Sequence, residues 1–187
     1  MEIETDSKTT AIVMIDLQHG IIARPLAPHT SDEVLRNAVL LTNALRKKGG
    51  TVVFVHVLIN ELLNLPADSP RSNAGPLPPN ACDLVPEAGV QPGDLVVTKR
   101  QWGAFYATDL DQQLRRRRIR TIVLGGISTN FGVESTARAA FDRGYELVFA
   151  ENAMSSVSAE AHHFSVNNIF PLMGRVRSTE EIVMAWQ

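Results

Sequence analysis

One feature constrains this chain more than any other: short, continuous apolar runs rich in β-branched residues alternate with segments of helical periodicity. The runs fall at 11–15, 51–57, 94–98, 121–124 and 146–150, with a short sixth at 174–176. Runs that are apolar at every position, rather than at every second one, indicate strands buried on both faces. Between them lie helix signals. Thr30 and Glu33 form a capping box ahead of a stripe of Val34, Ala38, Leu41 and Leu45, and Gly49-Gly50 ends that helix. Thr108 is expected to cap a helix carrying Leu110 and Leu114. Val133, Ala137, Ala140 and Phe141 mark a further stripe, stopped at Gly144. Ser178 and Glu181 form a second capping box. This order predicts a three-layer α/β/α domain with a central, mostly parallel, Rossmann-like sheet and right-handed crossovers.

The 187 residues suit one domain over 1–187, with ample length for a core. Only the segment 58–92 breaks the rhythm. It holds seven of the ten prolines: Pro66, Pro70, Pro76, Pro78, Pro79, Pro86 and Pro92. A long irregular excursion in a compact domain is expected to cover a site or a subunit contact. The formal charge of −2 supplies no basic field for nucleic acid or an anionic membrane. The run Arg115-Arg116-Arg117-Arg118 with Arg120 sits at an expected helix C-terminus, where cations suit the helix dipole, so a solvated face or subunit contact is favoured. A single cysteine, Cys82, excludes an internal disulfide. The acidic, polar start does not read as a signal peptide, and no apolar run reaches membrane-spanning length. A cytoplasmic protein is expected.

In open parallel sheets, ligands bind beyond the carboxyl ends of the strands. Three chemical features share that edge. Asp16 follows the first run, with Gln18 beside it. Lys99 follows the third. The glycine-rich stretch from Gly125-Gly126 through Ser128, Thr129, Phe131 and Gly132 follows the fourth. An acid and a lysine here suit proton transfer, each shifting the other's pKa. A structural ion pair at a strand end fits their position equally well.

These residues resemble the isochorismatase-like, or cysteine hydrolase, family of nicotinamidases, carbamoylsarcosine amidases and isochorismatases. The resemblance spans nearly the whole chain. It rests on Asp16-x-Gln18 after an apolar strand, on Lys99 with Ala104-Phe105 and Thr108-Asp109-Leu110, and on Gly126-x-x-Thr129 leading into Val133-Glu134-Ser135-Thr136-Ala137. Gly144-Tyr145 and the strand after it also fit. The resemblance implies a hydrolase in which an Asp takes the thiol proton, a Lys supports it and a Cys attacks a carbonyl carbon. Asp16 and Lys99 match the first two. The nucleophile position, immediately before the Val-Glu-Ser-Thr-Ala stretch, is Gly132. Isochorismatases also carry glycine there and use the Asp as a general acid on a vinyl ether. This chain departs from them in having Lys99-Arg100-Gln101 where they show Lys-x-Arg, and its stretch after Gly132 resembles the amidases.

The expected function is therefore hydrolysis of a small, anionic metabolite by Asp16/Lys99 acid–base chemistry, without a cysteine nucleophile. Gly132, read as a helix N-terminus, and the turn before it are expected to offer backbone N–H groups to an anion. Substrate contacts are expected from Gln18, Trp102, Ser128, Thr129 and Phe131. The resemblance further implies a non-proline cis peptide at Ile127–Ser128 and a homo-oligomer. Cys82 is read as a small filler, and Ser135 as a packing residue one helical turn on. His19 has two open readings, ligand contact or loop surface. Nicotinamidases hold a metal with an Asp-x-His pair and a further His after the second strand; here that region offers Glu61 and Asp68 without such histidines. No metal site and no cofactor are expected. His162 and His163 are read as partly exposed helix residues. The rival reading, from another class, is a catalytically silent ligand-binding or scaffold protein.

Overall fold

Six strands join in one sheet of order β3-β2-β1-β4-β5-β6, every neighbouring pair parallel. In this computed structural model the strands are β1 (Thr10–Ile15), β2 (Thr51–Val57), β3 (Leu95–Lys99), β4 (Thr121–Ile127), β5 (Glu146–Ser155) and β6 (Gly174–Arg177). The helices are α1 (His19–Ile22), α2 (Ser31–Lys47), α3 (Leu110–Arg116), α4 (Glu134–Asp142), α5 (Ala159–Phe164) and α6 (Thr179–Met184). The structure describes residues 6–63, 65–68 and 77–186. Pro70 and Pro76 of the proline-rich excursion, and the first five residues of the polar start, lie outside the described residues.

The continuous apolar runs fill two cores because successive side chains point to opposite faces. Ile12, Met14, Val52, Phe54, Val123 and Val148 pack under α2 and α6. Ala11, Val13, Ile15, Val55, Val97 and Leu124 pack under α3 and α4. Both capping boxes form: Thr30 with Glu33 opens α2, and Ser178 with Glu181 opens α6. Each is worth about 1 kcal/mol to its helix.

Several boundaries differ from expectation. β4 does not stop at Leu124; it runs through both glycines to Ile127, and its register against β5 shifts between Leu124 and Gly126. Gly126 has φ +111°, and a Cβ there would stand 2.1 Å from the carbonyl oxygen of Ile15. These glycines are strand residues because neighbouring backbones approach too closely for a side chain. Lys99 is the last residue of β3 rather than the first beyond it. Asp109, not Thr108, holds the N-cap position of α3, although the Thr108 hydroxyl still accepts the Leu110 N–H at 3.3 Å. Phe141, assigned to the buried stripe of α4, is half exposed. Among the described residues, no helix is long and apolar enough to cross a membrane.

The returning limb of the excursion packs along the segment after β1. Leu84 bridges Gln18, Gly20 donates to the Ala81 carbonyl at 3.0 Å, and Val85 donates to the Leu17 carbonyl at 3.0 Å.

Candidate active site

Asp16 stands at the end of a central strand with a left-handed backbone, φ +54°. Strict alternation would send it to the face of Ile12 and Met14. The left-handed turn, which costs roughly 1 kcal/mol for a residue with a Cβ, ends that alternation. Its carboxylate instead meets Lys99, with Nζ 2.8 Å from Oδ2. Lys99 is 1% exposed and Asp16 6%. The ammonium also donates to the Trp102 carbonyl at 2.7 Å. An ammonium has three N–H donors, so one has no partner among the described residues.

Gly132 completes the cluster. A Cβ built on it would stand 3.1 Å from Lys99 Nζ, 3.3 Å from Asp16 Oδ2 and 3.0 Å from Ile15 Cγ2. Asp16 and Lys99 lie 83 residues apart in the sequence, and Lys99 and Gly132 lie 33 apart, yet the three positions meet at one point. The second carboxylate oxygen, Asp16 Oδ1, is buried without a hydrogen-bond partner among the described residues. An unpaired buried oxygen is costly, and a catalytic role is one of the causes that explain such an atom. Burial raises the Asp16 pKa to about 6, against the opposing pull of the Lys99 charge, its hydrogen bond and the more distant His56.

The helix carrying Gly132 starts earlier than expected. Thr129–Val133 forms a π-helical turn that runs directly into α4, so Gly132 lies inside the helix and not at its first residue. The N–H groups of Phe131 and Val133 both donate to the Ser128 carbonyl, at 3.1 and 3.2 Å. Those two donors are therefore not offered to an anion. The peptide bond Ile127–Ser128 is cis, as the resemblance implied.

The expected substrate-contacting residues separate into two groups. Trp102 and Phe131 pack edge to face with centroids 4.9 Å apart, both partly exposed. Trp102 also lines a shallow pocket of about 360 Å³ with Leu63, Gln101, Gly103 and Tyr106, beside the carbonyl that holds Lys99. Ser128 is half-buried at the head of the π-turn. Gln18 and Thr129 are fully buried and committed elsewhere. Gln18 donates to the carbonyls of Val57 and Cys82, each at 2.9 Å, and accepts the Val57 N–H at 2.7 Å. Its amide clamps β2 to the excursion instead of facing a substrate. The Thr129 hydroxyl bonds His162 Nδ1 at 2.8 Å.

His162 also corrects the sequence reading. It is fully buried, not partly exposed, and its Nε2 lies 3.2 Å from Glu151 Oε1; only its neighbour His163 is exposed. His29 Nε2 reaches the same Glu151 oxygen at 2.8 Å. This His29–Glu151–His162 group went unseen in the sequence because its members come from three distant segments with no ligand spacing. His19 opens α1, half-buried. In the region after β2, Glu61 pairs with Arg100 and Asp68 is exposed. In the arginine run, Arg115 lies over the Tyr145 ring at 4.4 Å and donates to the Arg143 carbonyl, so part of that charge is bound within the fold.

Cys82 is half-buried, accepts the Ile59 N–H at 3.3 Å and donates to Asn60 Oδ1 at 3.7 Å. A serine hydroxyl can make both contacts. Cys82→Ser is expected to leave any turnover within about twofold of wild type, since surface-side polar exchanges change stability by less than about 0.5 kcal/mol. Steady-state assays on the two proteins check this. A large loss with an intact circular dichroism spectrum would return the thiol to the chemistry.

A family profile described as the isochorismatase domain matches residues 10–181. The isochorismatase family protein YecD of Escherichia coli O157:H7 is 50% identical over 187 residues, covering 98% of this chain and 99% of its own. A solved isochorismatase family structure from Burkholderia thailandensis superposes with a TM-score of 0.90 at 43% identity, covering 96% of each chain. The ureidoacrylate amidohydrolase RutB of Variovorax paradoxus is 38% identical over 105 residues, which span 56% of this chain and 42% of that protein.

Proposed function

The chain belongs to the isochorismatase family, and from that premise we propose that it hydrolyses a small, anionic metabolite with Asp16 as general acid and no covalent nucleophile. One observation carries this reading: the unpartnered buried oxygen of Asp16 stands in the same cluster as Lys99 and the side-chain-free position Gly132. Lys99 occupies Oδ2, so a proton on this carboxyl belongs on Oδ1, where no group among the described residues accepts it. A pKa of about 6 leaves about one Asp16 in ten protonated at pH 7, enough for an acid that also releases its proton readily.

The step balances without an enzyme-bound intermediate. Asp16 Oδ1 gives its proton to a substrate carbon or to the leaving oxygen or nitrogen. Water adds at the electron-deficient carbon, one C–O or C–N bond breaks, and the proton released from water restores Asp16. Lys99 holds the carboxyl in place and offers its remaining N–H to an anionic oxygen of the substrate. Trp102 and Phe131 form an apolar wall. Glycine at 132 leaves room for the substrate where a cysteine side chain would stand.

Purified protein assayed against isochorismate, nicotinamide, carbamoyl amides, biuret and ureidoacrylate tests the reaction class. On the substrate that turns over, kcat/KM is expected to be level below about pH 6 and to fall about tenfold per pH unit above it, because the protonated form of Asp16 does the work. A rate that rises through pH 6 would make Asp16 a base. No turnover of any of them would favour the binding-protein alternative.

A further inference from the structure

We propose that His29, Glu151 and His162 form a binding site for one divalent transition-metal ion of the Zn²⁺ class, behind the turn that carries Gly132. The donors come from three separate places: the loop before α2, strand β5 and helix α5. One donor atom from each residue lies within 4.8 Å of the other two. Glu151 Oε1 stands 2.8 Å from His29 Nε2 and 3.2 Å from His162 Nε2. Ligands bonded at about 2.0–2.2 Å to one ion sit about 3–3.5 Å apart, so small rotations of these side chains admit a metal.

Two imidazoles and one carboxylate make a ligand set suited to Zn²⁺ and its first-row neighbours rather than to Mg²⁺ or Ca²⁺. The side chains of His29 and Glu151 are 24% and 30% exposed, and that of His162 is 0%. The group is thus buried at its base and open on one side, where water can complete the coordination.

The strongest support comes from behind His162. Its Nδ1 bonds the Thr129 hydroxyl at 2.8 Å. A hydroxyl both donates and accepts. Without metal, Nε2–H donates to Glu151 and Nδ1 accepts from Thr129. With metal, the proton sits on Nδ1 and donates to Thr129, which frees the Nε2 lone pair for the ion. Metal-bound histidines are commonly oriented by such a partner on the second nitrogen. The bound ion would cross-link the three segments and, through Thr129, brace the π-turn three residues before Gly132.

The test uses full-length protein carrying Cys82→Ser, treated with a chelator, then titrated with ZnCl₂ by calorimetry and by thermal melting. The expected result is one Zn²⁺ per chain and a raised Tm. His29→Ala and Glu151→Gln, both at partly exposed positions, are each expected to weaken binding at least tenfold while keeping the circular dichroism spectrum. His163→Ala, at the exposed neighbour, is expected to bind as wild type. Co²⁺ is expected to give a visible d–d absorption that His29→Ala alters. Absence of Zn²⁺ uptake, or uptake unchanged in both His29→Ala and Glu151→Gln, would overturn the site.

Discussion

Asp16→Asn is expected to lower turnover by roughly 100-fold or more, the usual scale for losing a general acid. Asparagine keeps the shape and can still accept from Lys99, but it carries no titratable proton. The substitution also leaves a lysine at 1% exposure without its counter-charge, and breaking a buried pair costs about 3–5 kcal/mol. A loss of rate must therefore be separated from a loss of fold. Asp16→Asn combined with Lys99→Met removes both charges together, and is expected to recover most of that stability while remaining as inactive as the single variant. Denaturant titration and single-turnover rates on both proteins decide the matter. Near-wild-type turnover by folded Asp16→Asn would sink the assignment of the acid.

Gly132→Cys is expected to create an unusually acidic, fast-alkylating thiol. Gly132 is not among the glycines with positive φ, so its backbone accepts a side chain. Its Cβ would need a few tenths of an ångström from Ile15 Cγ2 at 3.0 Å, a contact with a movable methyl group. The new sulfur would emerge beside the Lys99 ammonium, 3.1 Å from the Cβ, and in the first turns of a helix. Both favour the thiolate, while the Asp16 carboxylate on the other side opposes it. The expected apparent pKa lies at least one unit below about 8.5, the free-thiol value. The measurement is the pH dependence of iodoacetamide alkylation in the Cys82→Ser background. An ordinary or raised pKa in a folded protein would show that Gly132 does not stand where the family's amidases place their nucleophile.

The sheet was legible because its information is local. Continuous apolar runs identify two-sided burial, and capping boxes at Thr30 and Ser178 mark helix starts. Asp16 and Lys99 were legible because strand ends are where such folds expose chemistry. What escaped depended on partners far away in sequence. Gly125 and Gly126 look like a loop, and only their pairing with Met14 and Ile15 makes them strand. Gln18 and Thr129 belong to recognisable motifs, yet the same polarity that suits a ligand also suits the Val57 backbone or His162. His162 looks like one of two surface histidines until Glu151 and Thr129 are brought against it. Polar side chains announce a hydrogen bond, but the sequence does not say to whom.

Strand order has a consequence for how this protein can fail. Lys99 belongs to the edge strand β3, and β2 lies between it and β1, which Asp16 directly follows. Two strand spacings are about 10 Å, so the ion pair is made only by a long side chain leaning across its neighbour. A slip of β3 by one residue would turn Lys99 to the opposite face of the sheet and put Thr98 or Arg100 in its place. An edge strand is held by one ladder alone, here the pairing of Val53–Val57 with Leu95–Lys99. The Asp16–Lys99 bridge thus works as an alignment gauge: a molecule whose edge strand β3 has docked out of step keeps most of its core and loses this ion pair.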